Sequence, residues 1–120
     1  RYGMKIEKLR KLCRVWQARL GLAHWQIDVY VVRGSEIEDN MAQVMYNTES
    51  EVAMIRLKDP NDCHGLVKQD MEESIVHELL HVLMGPLISG KTSPGIFYEQ
   101  MLDRLARVLI KLGRAQERNG

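Results

Sequence analysis

The stretch His77-Glu78-Leu79-Leu80-His81, set between Asp70-Met71-Glu72-Glu73-Ser74-Ile75-Val76 and Val82-Leu83-Met84-Gly85-Pro86, decides the reading of this chain. Asp70, Glu72 and Glu73 form the kind of acidic opening that starts a helix, and Asp70 with Glu73 makes a capping-box-like pair. Gly85-Pro86 is the expected stop. Between them Ile75, Leu79, Val82 and Leu83 recur at helical spacing. On such a helix the two histidines lie one turn apart, about 6 Å along the axis and on nearly the same face, so both imidazoles can converge on one metal ion. Glu78 follows the first of them. Its carboxylate can reach a metal-bound water from the side without taking a coordination position, which suits a general base in hydrolysis. With this composition the spacing arises by chance in roughly 1% of shuffled chains, so the helical context adds much of the motif's weight.

A zinc ion that keeps one position open for water needs a third protein ligand. The extended metzincin pattern requires Gly and His three and six residues beyond His81, where this chain has Met84 and Leu87. That class is excluded. Ser93-Pro94 reads as an N-cap followed by proline at the first helical position, opening a long helix that runs to Leu112. On it Glu99, Leu102, Ala106 and Leu109 share one side, so Glu99 is expected to face the way the core-forming residues do. A carboxylate turned inward wants a cation. Asp103, one turn later and close to the same face, is the second candidate ligand. Cys63-His64 is another, although no helical register aims that pair.

Upstream, Ile6, Leu9, Cys13, Trp16 and Leu20 predict a first helix over residues 5–20, ended before Gly21. Residues 25–32, 42–46 and 52–57 are short and rich in β-branched or aromatic side chains, and polar segments separate them. They predict a small sheet of about three strands. The order of helix, sheet, metal helix and closing helix is α+β, expected as a single domain over residues 1–120, with residues 59–69 and 85–95 as the walls of a cleft. No apolar run approaches the roughly 18 residues of a membrane span, and no signal peptide is evident. Cys13 and Cys63 lack CxxC spacing and fit a reduced chain, so a soluble, cytoplasmic protein is expected. Met4 is a candidate natural start, which would make Arg1 to Gly3 an addition.

The formal net charge is +1, unevenly spread: residues 35–78 hold 11 acids and 3 bases, while both ends are basic. Arg104, Arg107, Lys111, Arg114 and Arg118 repeat along the last helix as one basic stripe, most simply a solvated face, alternatively a surface for nucleic acid or an acidic protein. No aromatic residues interleave with it, which weakens the case for base stacking.

His77-Glu78-Leu79-Leu80-His81 followed by Glu99 on a second helix resembles the gluzincin branch of zinc metallopeptidases, in which a downstream glutamate completes HExxH. The likeness extends to Leu20-Gly21-Leu22 before Trp25-Gln26-Ile27-Asp28-Val29, to Ala53-Met54-Ile55-Arg56-Leu57, and to Glu99-Gln100 with Arg104-Leu105-Ala106. In these segments the chain looks like the small metallopeptidases of phages and prophages, related in layout to minigluzincins and SprT-like proteins. The resemblance implies a zincin-like core with Zn2+ on His77, His81 and Glu99, and Glu78 as base. The expected function is hydrolysis of peptide bonds by a Glu-activated, zinc-bound water. A peptide substrate would add to the sheet edge, with residues 52–57 the candidate strand. Tyr46, Tyr98 and His64 are the available oxyanion donors. The alternative is a non-catalytic module in which zinc ties the helices together and the basic stripe binds a partner.

Overall fold

The computed structural model describes residues 5–37, 40–62, 70–88 and 95–119, with backbone only for 86–88. Helix α1 (Ile6–Arg19) is amphipathic, with Leu9, Cys13 and Trp16 buried at helical spacing, and it ends where Gly21 takes a positive φ of 77°. Gln17 is buried beside this turn, and its amide donates to the carbonyls of Leu22 at 3.1 Å and Trp25 at 2.9 Å. Those two bonds satisfy a buried polar group and fix the approach to the first strand.

Strands β1 (Gln26–Val32), β2 (Ala42–Asn47) and β3 (Val52–Lys58) form a mixed sheet in the order β1-β3-β2, with α2 (Gly34–Ile37) a single turn between β1 and β2. β1 runs parallel to β3 and β2 antiparallel to it, so Val29, Ile55 and Val44 align in one row. Alternation puts Val29, Ile55 and Leu57 against the helices. The opposite face holds Tyr30, Met45, Val52 and Met54, all partly exposed. The fold class is α+β, and each predicted strand is present to within a residue at either end. The strand order corrects one expectation: β3, the candidate edge for a peptide, is the central strand, paired on both sides.

Helix α3 (Met71–Ile88) lies at the centre, packed against α1, α4 (Ile96–Asn119), β2 and β3. Its Ile75, Val76, Leu79, Leu80 and Val82 are at most 2% exposed. It also runs through the expected stop at Gly85-Pro86, because Gly85 is buried against the Tyr46 ring and tertiary packing outweighs local propensity there. Helix α4 in turn continues past Leu112 to Asn119, where Glu117 pairs with Arg19 of α1 at 3.2 Å. The predicted cleft walls are therefore shorter. Residues 85–88 are helical, Pro60–Asp62 form a 3-10 turn, and 63–69 and 89–94 lie outside the described residues, as do the expected N-cap at Ser93-Pro94 and the start at Met4. No described helix is long and apolar enough to cross a membrane.

Cys13 is 1% exposed, and burial pushes its thiol from 9.0 up to about 12. In the folded chain it stays protonated where the unfolded chain would ionise, so this group lowers stability progressively as pH rises from 9.0 toward about 12. Cys13 is expected to resist alkylation at pH 8 in native buffer and to react on unfolding. Peptide mapping by mass spectrometry reads the difference, and native labelling at Cys13 would contradict the packing of α1.

Candidate metal centre

Helix α3 opens on a cap that the sequence supplies. The Asp70 carboxylate accepts the Glu73 amide at 3.1 Å, and its carbonyl accepts that of Ser74 at 3.0 Å. A second clamp holds the first turn. Buried Glu72 accepts the Trp16 indole N–H at 2.7 Å and an Arg114 N–H at 3.1 Å, tying α1, α3 and α4 together. With the apolar face fixed, His77 and His81 turn toward a cleft of about 520 Å³ whose lining includes Gln43, Glu78, Glu99 and Asp103. Their ring centroids are 5.0 Å apart.

From α4, Glu99 reaches both imidazoles. Its Oε1 lies 3.0 Å from His77 Nε2 and 3.3 Å from His81 Nε2. Glu99 is half exposed at the rim of the cleft, whereas its helix-mates Leu102 and Ala106 are in the core, so the inward orientation expected of it is only partly met. Asp103, the second candidate ligand, does something else. Its Oδ1 sits 2.8 Å from His77 Nδ1, on the other side of the ring. An Asp103 oxygen that accepts there places the proton of a neutral ring on Nδ1 and turns the Nε2 lone pair toward Glu99. A lone pair facing a carboxylate oxygen at this range is repulsive unless a proton or a metal cation lies between them. Burial, the largest influence, lowers the His81 pKa against the upward pull of Glu99, which disfavours an added proton on that ring.

A metal ion fits this arrangement. Zinc bonds of about 2.0–2.1 Å at tetrahedral angles set ligand atoms about 3.3 Å apart, and one ligand atom each from His77, His81 and Glu99 all lie within 4.8 Å of one another. Cys63 and His64, the other ligand candidates, lie outside the described residues.

Glu78 is 6% exposed and faces the same cleft. Burial pushes its carboxyl up to about 7; His77 opposes the shift, and Glu99 and Asp103 add to it. Above the cluster, Tyr46 of β2 shares a recess with Glu78 and His81. Its ring lies on Gly85, where an added Cβ would come within 2.7 Å of Cε2 and 2.8 Å of the hydroxyl oxygen. Tyr98 is buried, its ring edge-on to His81 at 5.5 Å, and its hydroxyl has no hydrogen-bond partner among the described residues. The strand beside the cleft is β2, an edge strand whose outer side no described strand covers.

Two of the five stripe cations are engaged with α3. Arg107 approaches Glu73 at 3.7 Å, and Arg114 pairs with Asp70 at 3.2 Å and Glu72 at 3.1 Å. No family model, no curated protein and no solved structure matches the chain.

Sequence reasoning missed the role of Asp103 and the position of Tyr46. The signals were present as the one-turn spacing of Glu99 and Asp103 on a helix and as a glycine inside α3.

Two outcomes check the site. Glu99→Ala is expected to abolish stoichiometric zinc, whereas Asp103→Ala keeps it with affinity lowered about 10–100-fold, as for the loss of an orienting partner; chelator competition measures both. A bound cation favours the ionised form of Glu78, so zinc binding at pH 6.5 should release more protons from the wild type than from Glu78→Gln. Calorimetry in buffers of different ionisation enthalpy counts them, and equal release would mean that Glu78 does not sense the ion.

Proposed function

We propose that this chain is a zinc-dependent metallopeptidase with a zincin-like core, in which His77, His81 and Glu99 hold the ion and Glu78 is the general base. The observation that carries this reading is the approach of one Glu99 carboxylate to Nε2 of both HExxH histidines, at 3.0 and 3.3 Å, beside a buried glutamate and an open cleft. The chemistry zinc supplies when bound is Lewis acidity, which lowers the pKa of water and draws charge from a carbonyl oxygen. Glu78 removes a proton from the attacking water and delivers it to the leaving amine nitrogen. Burial raises the affinity of its carboxylate for protons, to a pKa of about 7 in the metal-free chain, which suits a group that takes up a proton and gives it back near neutral pH. Asp103 holds His77 in the tautomer that leaves Nε2 free.

The exposed edge of β2 suits an extended peptide, whose backbone could pair with the strand while its scissile bond lies over His81 and Glu78. Of the three oxyanion donors weighed, Tyr46 has the best supported position, since its ring borders the recess next to Glu78 and His81, whereas the Tyr98 hydroxyl is buried. A purely structural ion, with the basic stripe as the working surface, has less support. Arg107 and Arg114 are occupied by ion pairs, and an ion that only tied helices together would need no open cleft or buried base.

Glu78→Gln should retain zinc and fold while cleavage of a peptide library falls by at least about 10²-fold, the usual scale for loss of a general base. A variant as active as wild type would end this mechanism. Tyr46→Phe is expected to lower kcat with little change in KM. Gly85→Ala, which must push the Tyr46 ring aside, should lower kcat as well and cost about 1–3 kcal/mol of stability at most. If Tyr46→Phe leaves kcat intact, the hydroxyl is not the oxyanion donor.

A further inference from the structure

Helix α4 is apolar over far more of its circumference than its packing uses. Tyr98, Leu102, Ala106 and Ile110 are buried in the core. Phe97, Met101, Leu105, Val108 and Leu112 are not; their exposures run from 43% at Leu105 to 82% at Phe97. At about 100° per residue these five side chains fall within roughly 80° of arc, on the side of the helix away from Glu99 and Asp103. From Met101 the spacing is 4, 3 and 4 residues to Leu105, Val108 and Leu112, the alternation of a coiled-coil seam. A contiguous exposed stripe of this kind marks an interaction surface.

The charges beside the stripe choose the occupant. Arg104 and Lys111 run along one border, and neither makes an ion pair among the described residues. The other border merges with the core face. The acids of α4, Glu99, Asp103 and Glu117, lie away from the stripe, and Glu117 is paired with Arg19. An antiparallel second copy would therefore set Arg104 and Lys111 against the same cations, and a parallel copy would meet Leu102 and Leu109 with no acid to offer. Neither self-pairing finds a countercharge. A membrane surface would call for a broad apolar face, and here the apolar arc beyond the narrow seam is already in the core.

We propose that the Phe97 to Leu112 face of α4 docks an amphipathic helix of another protein, with apolar residues at heptad spacing and acidic residues along the border that meets Arg104 and Lys111. The docked helix sits on the back of the helix that carries Glu99, so the cleft stays open. This assignment does not depend on the peptidase reading.

The test uses a synthetic helical peptide with leucine at its a and d positions and glutamate at e and g, and a counterpart with lysine at e and g, each titrated with the full chain by fluorescence anisotropy. The glutamate peptide is expected to bind roughly tenfold or more tightly than the lysine peptide, and Arg104→Glu with Lys111→Glu should reverse that order. Val108→Asp should abolish binding, with circular dichroism reporting that α4 remains folded. The charge-reversal pair, on exposed residues, keeps the test decisive if the Val108 variant unfolds. Equal binding of both peptides, or of neither, overturns the proposal. So does self-association in sedimentation that Val108→Asp removes, or adsorption to phosphatidylserine vesicles in place of peptide binding.

Discussion

A helix that buries Ile75, Val76, Leu79, Leu80 and Val82 almost completely cannot leave Glu72 and Glu78 to water, and the structure around α3 treats these two carboxylates in opposite ways. Glu72 receives the Trp16 indole and the Arg114 guanidinium, one from α1 and one from α4, so its desolvation is offset by two hydrogen bonds, one of them from a charged donor. Glu78 lines a cleft with no such donor bonded to it among the described residues, and burial, helped by Glu99 and Asp103 and opposed by His77, pushes its carboxyl up to about 7. One buried glutamate joins three helices. The other faces an open cleft.

Because α3 is central, the geometry of the site follows from how its neighbours dock. Glu99 reaches the histidines from α4, and α4 is held against α3 by Leu102 and Ala106 in the core and by ion pairs from Arg107 and Arg114 at the helix surface. The cleft's other wall is β2, whose Tyr46 comes close only because residue 85 has no side chain. α4 thus divides its circumference among core, ligand, ion-pair and apolar-seam faces, each set by residues a turn apart.

Much of the fold was legible because its signals are local. The period of Leu9, Cys13 and Trp16, the alternation in the three strands and the Asp70 cap each depend on neighbours within a few residues. Gly85-Pro86 misled for the same reason: a breaker's local cost is visible in sequence, whereas the burial that overrides it is not. Strand order was illegible too, since β1 skips β2 in the chain to pair with β3, which takes β2 on its other side, and only the assembled sheet reveals which strand is central. At the site, helical spacing brought His77, His81 and Glu99 to attention. Spacing alone could not tell a candidate ligand from an orienting group, because Glu99 and Asp103 are one turn apart, and only the structure shows that Glu99 meets Nε2 of both histidines while Asp103 meets Nδ1 of His77.

That difference bears on what a cation would do here. Glu73, Glu78, Glu99 and Asp103 crowd one end of the α3–α4 contact. Burial raises the pKa of Glu73, an effect that Arg107 opposes. Among the described residues Arg107 pairs with Glu73 and with neither Glu99 nor Asp103, so it relieves the first turn of α3 and not the carboxylates beside the imidazoles. The α4 N-terminus contributes partial positive charge near Glu99, worth about 0.3–1 kcal/mol where exposed, too little to balance carboxylates facing imidazole lone pairs. Protons could supply the remainder, but burial at His81 works against them. A divalent ion held by His77, His81 and Glu99 would supply the charge without requiring a buried imidazolium, and it would tie the first turn of α4 to the middle of α3 where Glu99 and Asp103 face the histidines.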